Sequence, residues 1–303
     1  MLVAVLFQLP GCGSKESQAV ATDSGNILFD DFTYWDHQAF YANGWKARTA
    51  TGHPGVAGAR WSAEGISFHS DDSDPDNRIL RMTSFTDGTG ENTRHTQFCH
   101  ARKYYEGTYA ARVYFRDEPI SGPDGDVIIE TFYAISPLKA PMDLDYSEMD
   151  FEYLANGGWG EGPQSKLWAT TWETFQLEPW TKDNEYSFIE GSYQGWRTLV
   201  LQVGAGTVRY FVDGKMFAEH GGRVYPEQPM SINFNLWFMP DGLIDSTETR
   251  VYTEDVDWVF FKADAILQTD EVEQLVAGFR EQQVTFRDTV PEWTPALPSP
   301  CGL

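Results

Sequence analysis

Apolar and polar residues alternate with a period of two in many short segments of this 303-residue chain, and turn sequences separate those segments. This period is typical of β-strands that have one face in a core and the other in solvent. Ten or more such segments occur without a convincing internal repeat, which predicts an all-β, two-sheet antiparallel sandwich rather than a propeller. The clearest segments include GISFHS, RILRMTSF, GTYAARVYF, DVIIETFYAI, SEMDFEYL, SKLWATTW, GWRTLVLQV, TVRYFVDG, PMSINFNLWF and DVDWVFFK.

The N-terminal end differs from this pattern. Residues 1–9 are apolar but too short to span a bilayer, and they run into LPGC and a polar tract. The arrangement resembles a bacterial lipoprotein signal with Cys12 as the lipidated residue, and the alternative is an ordinary secretory segment. We expect an exported bacterial protein, extracellular or anchored by lipid at Cys12, without a transmembrane helix in the mature chain. Whether Cys99 and Cys301 pair is left open by the sequence.

One helix is predicted, close to the C-terminus. Thr269–Gln283 has Asp270 as a capping residue, and it places apolar side chains on one stripe. These apolar residues are Val272, Leu275, Val276 and Phe279. The chain therefore divides into residues 1–25 as a signal or lipoprotein-like segment with a polar linker, 26–265 as the β domain, and 266–303 as a C-terminal helix with a Pro-rich tail.

The formal net charge of −23 argues against a nucleic-acid partner. To a lesser extent it disfavours sulfated or uronate polymers, which would need local Arg and Lys side chains to offset the repulsion. The six histidines form no HxH or HExxH motif, and the chain contains neither a P-loop nor GxGxxG, so we expect no catalytic cofactor. DDSDPDN lacks the glycine and closing glutamate of a calcium loop, which favours a solvated turn.

Three carboxylates lie at alternate positions in SEMDFEYL. Glu148, Asp150 and Glu152 share one face of the predicted strand, and apolar or aromatic residues separate them. The Cα atoms of the two glutamates would be about 13 Å apart, and side chains leaning together can bring the carboxyl groups to the ~5–5.5 Å of retaining glycosidases. One glutamate would be the nucleophile and the other the acid/base, with Asp150 assisting both. The alternative for an arbitrary ExDxE is a solvated polar strand face.

EMDFE, together with KLWATTW, YFVDGK, NFNLWF and DVDWVFF, resembles glycoside hydrolase family 16 over most of the chain. The resemblance implies a concanavalin A-like jelly roll and retaining endo-hydrolysis or transglycosylation of β-linked polysaccharides. It implies that Glu148 is the nucleophile, Asp150 its assistant and Glu152 the acid/base. The motif lacks the inserted residue of the ExDxxE form, which favours mixed-linkage glucanases and transglycosylases. We expect a β-1,3- or mixed-linkage β-glucan substrate.

Aromatic and amide side chains extend the predicted site. Tyr146 has the same strand parity as Glu148, and Trp168 and Trp172 share one face of SKLWATTW, where they would flank the carboxylates as sugar-stacking platforms. For any single Trp, core packing is the alternative. The resemblance implies that Asn235 and Trp237 line donor subsites. It also implies a structural calcium ion at Asp31 and Asp257, either of which could instead be a turn or ladder residue.

Three other functions remain compatible with a sandwich. A non-catalytic carbohydrate-binding domain would use the aromatic residues alone, and the same fold could act on a marine galactan. A polysaccharide lyase would need Arg, His and Tyr around an anionic substrate, which the acidic strand disfavours. In each case the partner is a polysaccharide, and we expect the protein to be a monomer.

Overall fold

The computed structural model, which describes residues 25–72, 74–298 and 301, consists of two antiparallel sheets that face each other, as the alternation predicts. Strands are numbered along the chain. In spatial order, the strands of the front sheet are Lys46–Ala47 (β2), Arg94–Cys99 (β6), Ser231–Phe238 (β15), Ile128–Ile135 (β8), Glu148–Leu154 (β9), Lys166–Gln176 (β10) and Thr181–Glu190 (β11).

The back sheet is built around a long strand, Arg250–Ala263 (β16). On one side of it lie, in order, Gly107–Phe115 (β7), Gly195–Gly204 (β12), Thr207–Val212 (β13) and Lys215–Gly221 (β14). On its other side lie Asp74–Thr86 (β5) with Ile66–Asp71 (β4), and Ile27–Asp30 (β1) with Phe286–Asp288 (β17). A short strand, Arg60–Trp61 (β3), pairs in parallel with β6.

A row of phenylalanines crosses the inner face of the front sheet. Phe98 stacks on Phe234 at 4.8 Å, Phe234 on Phe132 at 5.1 Å, and Phe132 on Phe151 at 6.4 Å between ring centroids. Because successive side chains of a strand point to opposite faces, this row fixes which residues face outward. The outward-facing sequence neighbours include Gln97, Thr131, Glu152 and Asn235.

The predicted C-terminal helix is present as Thr269–Glu281 (α2) and packs on the outer face of the back sheet. Phe279 stacks on Phe29 at 4.8 Å between ring centroids. The prediction that Asp270 caps this helix is wrong. Gln268 is the N-cap residue, and the Glu271 carboxylate accepts a hydrogen bond from the Gln268 backbone N–H. The helix ends two residues earlier than predicted, before Gln283, which has a φ of 59°.

Several elements were not predicted. They are a second helix, His37–Ala42 (α1), two 3₁₀ turns, Ala63–Gly65 and Gly222–Val224, and strands β1, β2, β3, β6, β11, β14 and β17. Cys99, at the end of β6, is disulfide-bonded to Cys301 of the C-terminal tail. The signal-like segment and Cys12 lie outside the described residues. Within the described part of the chain, the helices are too short or too polar to cross a membrane.

Two buried glutamates belong to opposite sheets. Glu130 on β8 accepts hydrogen bonds from the Arg116 backbone N–H. The Thr131 backbone N–H approaches the buried Glu254 carboxyl on β16, but neither Glu254 oxygen accepts a hydrogen bond of regular geometry from the described residues. Burial raises the pKa of the Glu254 carboxyl well above its usual value, and the nearby charge of Glu130 raises it further. The folded protein therefore holds the Glu254 proton more tightly than the unfolded chain.

We expect Glu254→Gln to increase the free energy of unfolding at pH 8 by about 1–3 kcal/mol and to change it little at pH 4. A raised folded-state pKa makes the folded state bind more protons than the unfolded chain above pH ~4.3, so wild-type stability decreases as pH rises. Denaturant titrations at both pH values measure the difference. The exposed Glu64→Gln variant is the control, and an equal effect of Glu254→Gln at both pH values would contradict the expectation.

Candidate active site

The three carboxylates of β9 lie on the outward face of the front sheet, between β8 and β10. The strand register places Trp172 opposite Glu148, Thr170 opposite Asp150, and Trp168 opposite Glu152. On the β8 side, the corresponding neighbours are Ile135, Tyr133 and Thr131. They border a cleft of about 480 Å³ that is also lined by side chains from β6, β11 and β15 and from the loop after β2.

Glu148 receives two strong hydrogen bonds. The Tyr146 hydroxyl donates to its Oε2 at 2.5 Å, and Asp150 also hydrogen-bonds to it. Burial in the cleft raises the pKa of Glu148 above its usual range, while the bonds from Tyr146 and Asp150 favour its ionised form. Glu148 thus has two hydrogen-bond donors, although burial and the nearby charge of Glu152 bring its pKa to about 8, above the value of about 7 for Glu152.

Asp150 is the most enclosed of the three, at 5% exposure. The indole N–H of Trp172 donates to its Oδ2 at 2.8 Å. Burial raises the pKa of Asp150 well above its usual value, and the neighbouring charges of Glu148 and Glu152 raise it further. Burial therefore favours the protonated form of Asp150, which can donate the hydrogen bond to Glu148.

Glu152 has the weakest hydrogen bonding. Thr170 Oγ1 donates to its Oε2 at 3.4 Å. Burial raises the pKa of Glu152 above its usual range, and the positive charge of Lys182 acts in the opposite direction. Three adjacent carboxyl groups do not all ionise together, so the row keeps at least one proton near neutral pH. The arrangement therefore combines an ionised carboxylate with a protonated carboxylic acid on one strand face.

Aromatic rings line the cleft on both sides of this acidic row. Beyond Glu148, Trp172 lies near Phe175 and Trp180, and the His53 ring approaches both of these from the loop after β2. Beyond Glu152, the predicted residues Trp168 and Trp237 belong to one packed cluster, and Trp159 contacts Trp237. Trp168 is 3% exposed and Trp237 6% exposed, so both combine core packing with an edge at the cleft.

The other predicted substrate residues have defined partners. Tyr146 is buried, and its hydroxyl contacts Glu148, which makes it a partner of the carboxylate more than a stacking surface. Asn235 on β15 accepts a hydrogen bond from Thr131, and its amide group donates to the Tyr133 hydroxyl at 3.3 Å. It therefore forms a polar group with Thr131 and Tyr133 in the lining of the cleft.

The sequence analysis missed cleft residues on two strands. Lys182, Asn184 and Tyr186 of β11 line the cleft, as do Gln97 of β6 and Arg48 from the loop after β2. Alternation in TKDNEYSFIE was the available signal for β11. It was obscured because polar residues occupy both faces of that strand.

Asp31 and Asp257 border a second cavity, beside α2 and the hairpin between β4 and β5. Asp257 is buried and accepts hydrogen bonds from Arg280 Nη2 at 2.6 Å and Asn77 Nδ2 at 2.7 Å, and Arg112 Nε lies 3.5 Å away. Within the described segments, no three acidic, His or Cys side chains are grouped to hold a metal ion. These contacts do not fit a calcium ion, because Arg280 and Arg112 already compensate the carboxylate.

We expect Arg280→Ala to lower the free energy of unfolding by about 1–3 kcal/mol, because it leaves the buried Asp257 carboxylate without its closest donor. A chelator should leave the wild-type melting temperature unchanged. Arg209→Ala is a matched control, since Arg209 pairs with Glu219 at the same 2.6 Å but on the surface, where the expected loss is under about 1 kcal/mol. A lower wild-type melting temperature in the chelator would instead indicate a bound cation.

A scan against protein-family models finds no match for this chain, and no curated protein matches it. Solved structures do match. Bacillus licheniformis β-glucanase has a TM-score of 0.56 at 13% identity, covering 79% of this chain and 99% of that one. A Bacteroides ovatus mixed-linkage glucan GH16 protein, solved with a G4G4G3G product, has a TM-score of 0.56 at 15% identity, covering 76% and 98%. Porphyranase B from Zobellia galactanivorans has a TM-score of 0.54 at 15% identity, covering 78% and 90%. At these identities the similarity shows a shared jelly-roll fold.

Proposed function

We propose that this chain is a retaining endo-glycoside hydrolase of the family 16 type that cleaves a β-linked polysaccharide. The observation that carries the proposal is the row of three carboxyl groups on one face of β9, in which each group has a different hydrogen-bond partner. Glu148 is the nucleophile, Asp150 donates a hydrogen bond to it, and Glu152 is the acid/base.

The first step forms a glycosyl-enzyme ester. A Glu148 oxygen attacks the anomeric carbon while the bond from that carbon to the leaving oxygen breaks, and Glu152 transfers its proton to the leaving oxygen. Asp150 and Tyr146 donate to Glu148 and hold its carboxylate in position. The leaving sugar departs with a free hydroxyl group, and Glu152 remains as a carboxylate.

The second step reverses these roles. The Glu152 carboxylate removes a proton from water as the water oxygen attacks the anomeric carbon, and the ester bond to Glu148 breaks. Glu148 is released as a carboxylate, and Glu152 is protonated for the next cycle. When a sugar hydroxyl replaces water, the same step is transglycosylation.

Two features support endo-cleavage of a β-glucan. Aromatic rings lie on both sides of the carboxylates, so sugar units can stack beyond both ends of the reacting pair. Two of the structures that share this fold are a β-glucanase and a mixed-linkage glucan GH16 protein. We therefore propose a β-1,3- or mixed-linkage β-glucan backbone. The similarity to porphyranase B makes a galactan backbone the second candidate.

The disulfide between Cys99 and Cys301 supports export, because such bonds persist mainly in oxidising compartments. We propose that the protein acts outside the cytoplasm as a monomer. Lipid attachment at Cys12 remains part of this proposal.

Release of reducing ends from a panel of polysaccharides tests the function. The panel contains mixed-linkage β-glucan, β-1,3-glucan and a neutral galactan, each incubated with wild type and with Glu148→Ala. We expect oligosaccharide products from one backbone with wild type and none with the variant. Binding of a polymer without any product from wild type would instead identify a carbohydrate-binding domain and contradict catalysis.

A further inference from the structure

Lys182 brings a positive charge into a cleft whose other prominent charges are acidic. It lies near the start of β11, and its side chain is exposed and lines the cleft. Its Nζ is 5.7 Å from the ring centroid of Trp172 and 5.7 Å from that of Tyr186. The ammonium group of Lys182 forms no hydrogen bond or ion pair with any residue in the described part of the chain.

Arg48 also lines the cleft, but its guanidinium group is used within the protein. It is 2% exposed, lies over the Trp61 ring at 4.2 Å, and donates to the Gln97 side chain and to the backbone oxygens of Ala50 and His53. Its role is to hold the loop after β2. Lys182 is the cation in this cleft that a ligand can reach.

The two rings beside Lys182 are suited to sugars. Trp172 is half-buried and Tyr186 is 47% exposed, so each can offer a ring face or edge to a pyranose. A sugar stacked there would hold its substituents within reach of the ammonium group. The two cation–π contacts also restrict the flexible lysine stem before any ligand binds, which lowers the entropic cost of a new contact.

We propose that Lys182 binds a negatively charged substituent, a sulfate ester or a carboxylate, on the sugar that stacks against Trp172 and Tyr186. This inference rests on the proposed function and narrows its substrate class. A chain of net charge −23 repels an acidic polymer at long range, so recognition requires a local cation at the contact point, and Lys182 supplies one. With an unsubstituted sugar the ammonium group would keep only its cation–π contacts and its longer-range attraction to Glu152.

The test compares one β-glucan backbone in three forms: unmodified, carboxymethylated and sulfated. For wild type, Lys182→Met and Lys182→Arg, kcat/KM is measured on each form. We expect wild type to prefer one acidic form, and the ratio of acidic to neutral kcat/KM to fall about tenfold in Lys182→Met, the size of one charge-assisted hydrogen bond. Lys182→Arg should retain most of the ratio. The acidic polymer whose kcat/KM falls in Lys182→Met identifies the substituent as a carboxylate or a sulfate ester.

An unchanged ratio in Lys182→Met would overturn the inference. An equal loss on neutral and acidic polymers would also overturn it and would assign Lys182 to positioning Glu152. Calorimetric binding of the three polymers is measured in parallel at low and high salt. If no polymer is cleaved, the proposed function fails. In that case the dissociation constants still decide whether the acidic subsite exists. Lys182→Met should bind the acidic polymer more weakly than wild type does, and it should bind the neutral polymer equally well.

Discussion

Replacing Glu148 by alanine is expected to lower kcat by about 10⁴-fold or more, while the protein remains folded. In the proposed mechanism this carboxylate forms the covalent bond to the sugar. Its neighbour Asp150 is more enclosed, and burial favours the protonated form of Asp150. The side chain faces the cleft and not the phenylalanine row, so its removal leaves the core intact. Steady-state kinetics on the substrate found in the panel, with thermal melts of both proteins, measure the effect.

The matched control is Glu219→Ala, because Glu219 is an exposed glutamate on the back sheet, in β14. It should retain wild-type turnover. Azide added to Glu148→Ala with an activated β-glycoside should restore reaction and give the α-glycosyl azide, because only one displacement remains. Near wild-type turnover by Glu148→Ala would show that the nucleophile has been assigned to the wrong residue.

Replacing Glu152 by glutamine is expected to lower kcat/KM on the natural polymer by about 10²–10⁴-fold, because the amide cannot protonate the leaving oxygen. The loss should be much smaller on an aryl glycoside with an acidic phenol, whose leaving group needs little protonation. Comparing the two substrates separates loss of the proton donor from loss of folding. Equal losses on both would contradict the assignment of Glu152 as the acid.

The pH profile gives a second measure of the same residue. Glu152 must be protonated for the first step, and burial raises its pKa above the usual range, so wild-type activity should persist above pH ~4.3 and fall as Glu152 ionises. In Glu152→Gln this loss on the alkaline side should disappear. Asp150→Asn should cost less than either glutamate variant, because it removes an assisting hydrogen bond and not a reacting group.

Strand parity is a local property, and this is why the acidic row could be predicted from the sequence. Alternation in SEMDFEYL and SKLWATTW depends only on neighbouring residues, and the strand register places Trp168 opposite Glu152 and Trp172 opposite Glu148. Strands β6 and β11 were missed because polar residues occupy both faces of each strand, which removes the apolar alternation that identifies a half-buried strand.

The partners of the predicted residues depend on contacts that local patterns do not contain. The bond from Trp172 to Asp150 crosses 22 positions, and Arg280 reaches Asp257 from a helix on the far side of the back sheet. The burial of the aromatic residues also depends on such distant contacts, and local patterns do not show it. Trp168 and Trp237 share a packed cluster, whereas strand parity for Trp168 and the family resemblance for Trp237 indicated sugar-binding residues.

The stereochemistry of the first-formed product tests the proposed mechanism most directly. A double displacement through Glu148 inverts the anomeric carbon twice, so a β-linked chain must release a β-anomer before mutarotation. Proton NMR of wild-type reaction mixtures during the first minutes distinguishes the two anomeric signals. The account predicts an initial β-anomer that decays to the equilibrium mixture. An initial α-anomer would show a single displacement by water and would contradict the assignment of Glu148 as nucleophile.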